Sequence, residues 1–242
     1  MQATSTVGRS FCSPATISGL ARRVWAKFRL VEFPIKIDMQ AQTPAVEVKV
    51  YTEDAVIPWL SDVSRLRMQI FREYPYLYSG SLEEEAEYMQ PYVEAEGKVL
   101  VLAHAGDEVV GASTGMPLIR AEDLFQDPWV RAGYDPADFY YFAESVLLPE
   151  WRGRGIGRAF MQLRELHARE LGSYNYATMC GVVRPADEAV RPADYRSPEG
   201  LWRSCGFSPR PDIETTLGWT EIGETHETEK SMRFWWKSLQ AD

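Results

Sequence analysis

Residues 139–171 constrain the fold of this chain more than any other segment. An aromatic and apolar run at 139–148 predicts a strand, and an amphipathic run at 155–171 predicts a helix. Three glycines connect them: Gly153, Gly155 and Gly157. A strand that enters a helix through glycines brings free backbone N–H groups and the positive end of the helix dipole to one point. Such a point is a binding site for phosphate.

Two common phosphate-binding patterns do not fit this segment. The P-loop pattern requires Lys followed by Ser or Thr after the last glycine, and neither follows Gly157. The dinucleotide pattern G-x-G-x-x-G requires a glycine at position 158, which is Arg158. The ligand is therefore expected to be a phosphate compound of another class.

The rest of the chain predicts a layered α/β (α+β) domain. Apolar alternation and β-branched runs predict strands at 46–51, 98–104, 108–118, 139–148, 174–183, 213–220 and 231–239. Helical spacing predicts helices at 59–73, 81–94, 155–171 and 197–204. The order β-α-α-β-β-β-α-β-α-β-β lacks strict βαβ alternation, so we expect a mixed central sheet of about seven strands flanked by helices. A connection rich in Pro and Asp is predicted at 120–138.

Three features together resemble the GNAT superfamily of acyl-CoA N-acyltransferases. Residues 152–157, Arg-Gly-Arg-Gly-Ile-Gly, fit the R/Q-x-x-G-x-G/A loop of that family. The predicted element order is similar to the GNAT order. Residues 201–207, Leu-Trp-Arg-Ser-Cys-Gly-Phe, resemble the L-Y-x-x-x-G-F end of its C-terminal helix. The resemblance covers nearly all of residues 46–239 and assigns a GNAT N-acetyltransferase domain to 39–242.

The resemblance implies acetyl-CoA as cosubstrate and a primary amine of a small molecule as acceptor, with transfer by direct attack and no metal. It implies that the strand before the loop pairs with the pantetheine arm and that the loop N–H groups bind the pyrophosphate. The cofactor-binding residues carried over in this way are Ser145, Val146, Leu147, Arg152, Gly153, Arg154, Gly155, Ile156, Gly157 and Arg158.

Glu144 is the candidate base, because it is a carboxylate at the end of an aromatic and apolar run and an ammonium must lose a proton before it attacks. Strict alternation puts Glu144 and Leu147 on opposite faces, so this role requires a β-bulge, or else Glu144 only anchors the substrate ammonium. The structural alternative is a buried ion pair with an arginine such as Arg184.

Trp202 stands where many GNAT members have the tyrosine that protonates the leaving thiolate. An indole N–H cannot act as a general acid, so Trp202 is expected to be a packing residue. Tyr195 is the candidate replacement, with Tyr140, Tyr141 or a water as alternatives.

The acceptor is only partly specified by the sequence. Aromatic residues suited to an aromatic or cationic molecule are Tyr74, Tyr76, Tyr78, Trp219, Trp235 and Trp236. A carboxylate on the acceptor would instead meet Arg184, Arg191 and Arg196. Two rival functions stay open: a non-catalytic acyl-CoA-binding module, and an acetyltransferase acting on a protein lysine or N-terminus.

Composition excludes several other classes. The formal net charge of −9 argues against a nucleic-acid or anionic-membrane partner, since phosphate affinity comes from clustered Lys and Arg. No apolar stretch is long enough for a membrane span. The His and Cys residues lack metal-ligand spacing. The three scattered cysteines predict a reducing, cytoplasmic location. A homodimer stays open.

Residues 1–38 differ from the remainder. They carry a net charge of +4, which leaves −13 for the other residues. This composition is typical of a transit peptide, but Met39-Gln40-Ala41 repeats the opening Met1-Gln2-Ala3 and fits a second start site. We predict an N-terminal extension that is disordered or precedes the true start.

Overall fold

A computed structural model describes residues 45–185 and 188–240. The extension predicted at 1–38 lies outside these residues. One seven-stranded sheet has the order β1-β2-β3-β4-β5-β7-β6. Its strands are β1 (Val46–Thr52), β2 (Val99–Ala105), β3 (Glu108–Pro117), β4 (Phe139–Leu147), β5 (Tyr176–Val182), β6 (Ser208–Trp219) and β7 (Thr228–Ser238). Among these strands only β4 and β5 pair in parallel, so the predicted mixed sheet is confirmed.

Six α-helices flank the sheet in the described residues: α1 (Leu60–Ile70), α2 (Leu82–Tyr88), α3 (Gln90–Glu94), α4 (Asp123–Arg131), α5 (Ile156–Leu171) and α6 (Glu199–Ser204). The single helix predicted at 81–94 is divided into α2 and α3, because Pro91 lies in the first turn of α3 and fits a helix start better than an interior. The predicted capping box is present, with Ser81 and Glu84 bonding each other's backbone N–H groups.

The prediction of a connection without helix at 120–138 is wrong, since α4 lies within it. Pro128 and the acidic residues of this segment obscured two apolar positions, Phe125 and Trp129, that are spaced i, i+4. Trp129 is fully buried, and its ring centroid lies 4.3 Å from that of Phe139. This contact packs α4 against the sheet at the start of β4.

Strand β6 begins at Ser208, earlier than the predicted 213. Pro209 and Pro211 masked its first part, because proline cannot donate to a sheet ladder. An edge strand tolerates such residues, and β6 pairs only with β7, with a shift of register between Arg210 and Glu214.

Strand β4 is the middle strand of the seven-stranded sheet. Phe139 and Tyr141 belong to a small apolar cluster with α4, whereas Tyr140 and Phe142 belong to the large core cluster. Helices α1 and α5 both pack on β3 and β4. Within the described residues, no helix is long and apolar enough to cross a membrane.

Candidate active site

The glycine loop between β4 and α5 has the backbone that its sequence predicts. Gly153 and Gly155 have φ angles of 75° and 83°, which side chains with a Cβ rarely adopt. A Cβ built on either glycine would meet nothing within 4 Å. Gly155 caps the N-terminus of α5 without any side-chain cap. The loop is therefore an open cradle of N–H groups at a helix N-terminus.

Hydrogen bonds to residues outside the loop hold the side chains of its three arginines. Arg152 donates to Glu73 at 3.0 Å and to the carbonyl of Leu147 at 3.1 Å. Arg154 donates to a backbone carbonyl at 2.8 Å, and Arg158 donates to Ser204 Oγ at 2.9 Å. All three guanidinium groups are partly or fully exposed, so they frame the cradle with positive charge.

Strands β4 and β5 separate just before the loop. Their parallel pairing ends at Tyr141 and Thr178; beyond these residues β4 pairs with β3, and β5 pairs with β7. Residues 142–147 of β4 therefore have no strand on the β5 side within the described chain. This stretch includes the three positions predicted to pair with an extended ligand: Ser145, Val146 and Leu147.

A cavity of about 820 Å³ opens from this gap and from the glycine loop and extends to α1, α2 and β6. Seven of the ten predicted cofactor residues line it: Ser145, Leu147, Arg152, Gly153, Gly155, Gly157 and Arg158. Of the remaining three, Arg154 is absent from the wall, and the side chains of Val146 and Ile156 are buried in the core. Those two residues can meet a ligand only through their backbone.

The model of the acetyltransferase (GNAT) family matches residues 63–193, which is more than half of the chain and includes the gap, the loop and α5. The chain belongs to the GNAT family. It is therefore an acetyl-CoA-dependent acyltransferase, and the resemblance identified from the loop and the element order is confirmed.

The chain is similar to solved GNAT structures at low sequence identity. An IAA acetyltransferase from Bacillus cereus is 13% identical with a TM-score of 0.45, and the alignment covers 80% of this chain and 99% of that one. A putative acetyltransferase from Salmonella typhimurium, solved with acetyl-CoA, is 12% identical with a TM-score of 0.48, over 81% and 95%. A ribosomal-protein-alanine N-acetyltransferase from Brucella melitensis is 17% identical with a TM-score of 0.49, over 79% and 98%. No curated protein matches the chain.

The residues of this GNAT chain fit acetyl-CoA. The open cradle at Gly153 and Gly155 suits a pyrophosphate, because the space that side chains would fill is free there. The unpaired side of β4 at 142–147 suits the amide groups of a pantetheine arm. No group of His, Cys, Asp or Glu in the described residues has an arrangement that could hold a metal ion.

Glu144 lies on the wall of the cavity at a β-bulge. Ser113 pairs with Ser145 but Gly115 pairs with Phe142, so one residue of β3 faces two of β4. The bulge that the proposed role of Glu144 required is therefore present. Glu144 is 5% exposed, and its Oε1 accepts a hydrogen bond from the Tyr88 hydroxyl at 2.7 Å.

The ion-pair partner of Glu144 is Arg67 of α1, not Arg184. Arg67 Nη1 lies 2.5 Å from Glu144 Oε2, and its Nε lies 2.8 Å from Glu85 Oε2. Burial is the largest single influence on the pKa of Arg67 and would lower it, but Glu144, Tyr88 and Glu85 together outweigh burial and raise that pKa. Arg184 instead binds Glu221, Glu188 and the carbonyl of Pro75.

The aromatic side chains predicted for the acceptor pocket divide into two groups. Tyr74, Tyr76, Tyr78 and Trp219 line the cavity, as predicted. Trp235 and Trp236 do not: Trp236 stacks on Tyr176 at 4.9 Å, and Trp235 meets the edge of Trp202. Of the three arginines considered for a substrate carboxylate, only Arg196 is on the wall.

Tyr195 and Trp202 both border the cavity. Tyr195 stacks edge-on against Tyr74, with ring centroids 4.7 Å apart, and burial raises the pKa of its hydroxyl. The Trp202 ring covers Gly181, where a Cβ would come within 2.7 Å of it. Among the alternative acids, Tyr141 is on the wall, but Tyr140 is not, since its hydroxyl donates to the carbonyl of Gly97.

The sequence did not single out Arg67, Glu85 or Tyr88 as site residues. Glu85 belongs to the acidic run 83–85 of α2, a composition typical of a solvated helix face, yet it is fully buried. The helical spacing Glu85, Tyr88 and Tyr92 gave a weak signal, because it puts an acid and two aromatic residues on one face. Nothing in the sequence indicated that α1 would supply the cation opposite that face.

Proposed function

We propose that this GNAT enzyme acetylates a primary amine of a small cationic molecule, and that Glu144 binds and deprotonates the reacting ammonium. The charge of the buried cluster carries the proposal. Glu85 and Glu144 contribute two negative charges, and Arg67 contributes one positive charge. Arg164, the other buried arginine beside β4, bonds backbone carbonyls and Ser145 rather than these carboxylates. Buried charges in proteins are normally balanced, so the cluster itself has one negative charge for an ammonium to neutralise.

Glu144 also has room for a further hydrogen bond. Tyr88 occupies one site on Oε1, and Arg67 occupies one site on Oε2. An ionised carboxylate has about four acceptor sites. An ammonium in the cavity can therefore bind Glu144 without displacing either partner, and this supports a direct role in holding the acceptor.

The enclosure and its lining favour a small acceptor over a protein. The cavity of about 820 Å³ is within the range of small-molecule sites, about 300 to 1,000 Å³, and acetyl-CoA would occupy its part along β4 and the glycine loop, which leaves room only for a small acceptor. Tyrosine and tryptophan faces attract cations. Five glutamates beyond the buried cluster also border the cavity: Glu73, which pairs with Arg152, and Glu84, Glu87, Glu122 and Glu227. A second positive charge on the acceptor would find partners among them.

The chemistry then needs three proton transfers: the ammonium loses a proton before it attacks, the attacking nitrogen loses a second proton to water as the amide forms, and the departing thiolate gains one. Acetyl-CoA, when bound, supplies the acyl group as an activated thioester. Glu144 accepts the ammonium proton, since an amine with a pKa near 10 is charged at neutral pH and cannot attack. Tyr195 donates a proton to the departing thiolate. Because burial raises the pKa of Tyr195, its hydroxyl remains protonated at neutral pH and available as a donor.

The test is CoA release from acetyl-CoA with a panel of acceptors: monoamines, diamines, amino acids and short peptides with a free lysine. We expect turnover with diamines and other small cations, and little with peptides. Glu144→Gln should lower kcat by about 100- to 10,000-fold with unchanged acetyl-CoA affinity, because only proton transfer and acceptor binding are removed.

Glu83→Gln is the matched control, since Glu83 is an exposed acid of α2 away from the cavity, and its kcat should equal that of the parent. Full activity of Glu144→Gln on the best acceptor would show that the base lies elsewhere. A loss of about 3 to 5 kcal/mol in unfolding free energy would instead favour a structural ion pair.

A further inference from the structure

Arg164 of α5 is a buried cation with no carboxylate partner. It is 1% exposed, and none of the ion pairs among the described residues includes it. Its guanidinium carbon lies 4.4 Å from the ring centroid of Phe142. Burial of an unpaired charge is costly, so the contacts of Arg164 require an explanation.

Two of the hydrogen bonds of Arg164 stay within α5, to the Phe160 carbonyl and Met161 Sδ, and the other three converge on the bulge in β4. Nη1 of Arg164 donates to the carbonyl of Thr114 in β3 at 3.1 Å and to the carbonyl of Glu144 in β4 at 3.2 Å. Nη2 donates to Ser145 Oγ at 3.0 Å. One guanidinium therefore bonds both strands at the point where their register changes.

The bulge needs these donors because it interrupts the ladder. The Glu144 N–H donates to Thr114 Oγ1 at 3.0 Å, a side-chain acceptor. The Glu144 carbonyl accepts from Ser113 Oγ at 2.9 Å in addition to Arg164. Side chains thus satisfy polar groups that a regular antiparallel pair would satisfy through its backbone.

The bulge also decides where the side chains point. Phe142 and Ser145 are three residues apart, yet both contact Arg164, which regular alternation would forbid. Glu144 between them contacts Arg67 and Tyr88 instead. Regular pairing would turn either Phe142 or Ser145 to the opposite face of the sheet, so the two residues could no longer both contact Arg164.

We propose that Arg164 is a positioning residue for acetyl transfer: it holds the β3–β4 bulge and so directs Glu144 towards the acceptor. This inference rests on the proposed role of Glu144. The fork geometry of the guanidinium is essential to it, because a lysine at this position keeps the charge but cannot bridge two carbonyls and a hydroxyl together.

The experiment compares Arg164→Lys with the parent and with Arg169→Lys. Arg169 lies in the same helix and bonds Glu165 and the carbonyl of Leu239, which directly follows β7. We expect kcat of Arg164→Lys to fall by about 100-fold, since a displacement near 1 Å of a reacting group has that effect. The KM for acetyl-CoA should rise by a smaller factor than kcat falls, because the glycine loop is untouched while Ser145, which Arg164 bonds, lies on the stretch of β4 that suits the pantetheine arm. Arg169→Lys should match the parent.

Hydrogen exchange of the Glu144 amide tests the bulge without any turnover. Faster exchange in folded Arg164→Lys supports the proposal even if the acceptor assignment proves wrong, while parental exchange together with parental kcat overturns it. If Arg164→Lys does not fold, Ser113→Ala decides, because it removes a second donor to the same carbonyl. A smaller fall in kcat at constant acetyl-CoA KM then supports the proposal, and an unchanged kcat overturns it.

Discussion

The glycine loop on the cavity wall takes its residues from consecutive positions, 152–157, whereas the charged cluster around Glu144 combines residues from α1, α2 and β4. The loop presents backbone N–H groups, and its conformation depends on glycines with positive φ. The cluster presents buried side chains that depend on one another for charge balance. Damage to the loop should therefore affect one ligand, while damage to the cluster should affect the fold as well.

Gly155→Asp should produce the largest effect. It puts a carboxylate into the open space of the cradle, where a pyrophosphate is expected, so acetyl-CoA binding should fall below detection by calorimetry. Gly133→Asp is the matched control, because Gly133 has a φ of 85° and equally open surroundings but is not on the cavity wall. Gly133→Asp should lower the free energy of unfolding by a similar amount and leave the affinity for acetyl-CoA unchanged. Undiminished affinity in Gly155→Asp would place the pyrophosphate elsewhere.

Arg67→Met tests the other end of the comparison and should mainly reduce stability. It leaves Glu85 and Glu144 buried without their shared cation, so the unfolding free energy should fall by about 3 to 5 kcal/mol in urea titrations. Arg65→Met in the same helix should cost about 1 to 2 kcal/mol, because Arg65 forms a half-exposed pair with Asp62 and donates one hydrogen bond to the carbonyl of Val109. Adding Glu85→Gln to Arg67→Met should restore part of the lost unfolding free energy, because it removes one of the two unpaired negative charges. A further decrease in unfolding free energy would mean that unbalanced charge does not cause the loss.

The difference between a site built from consecutive residues and one built from distant residues also explains which features the sequence could predict. The loop, the capping box at Ser81 and the seven strands depend on local spacing, and all of these are present. Helix α4 was missed because Pro128 and acidic residues gave it the composition of a loop. The partner of Glu144 was missed because ion pairing depends on which helix faces β4, and residues 67 and 144 are joined only by the tertiary fold.

Trp202→Phe should have the smallest effect and tests whether this wall of the cavity takes part in proton transfer. Trp202 covers Gly181 and meets Trp235 at a ring distance of 5.2 Å, which are packing contacts. A phenyl ring keeps most of that contact, so kcat at saturating acetyl-CoA should stay within about threefold of the parent. Tyr195→Phe, a change of one oxygen on the same wall, should lower kcat by at least about tenfold because the proton donor is removed. Equal losses of kcat in both variants, with unchanged stability, would contradict this division and indicate that Trp202 orders a water that delivers the proton.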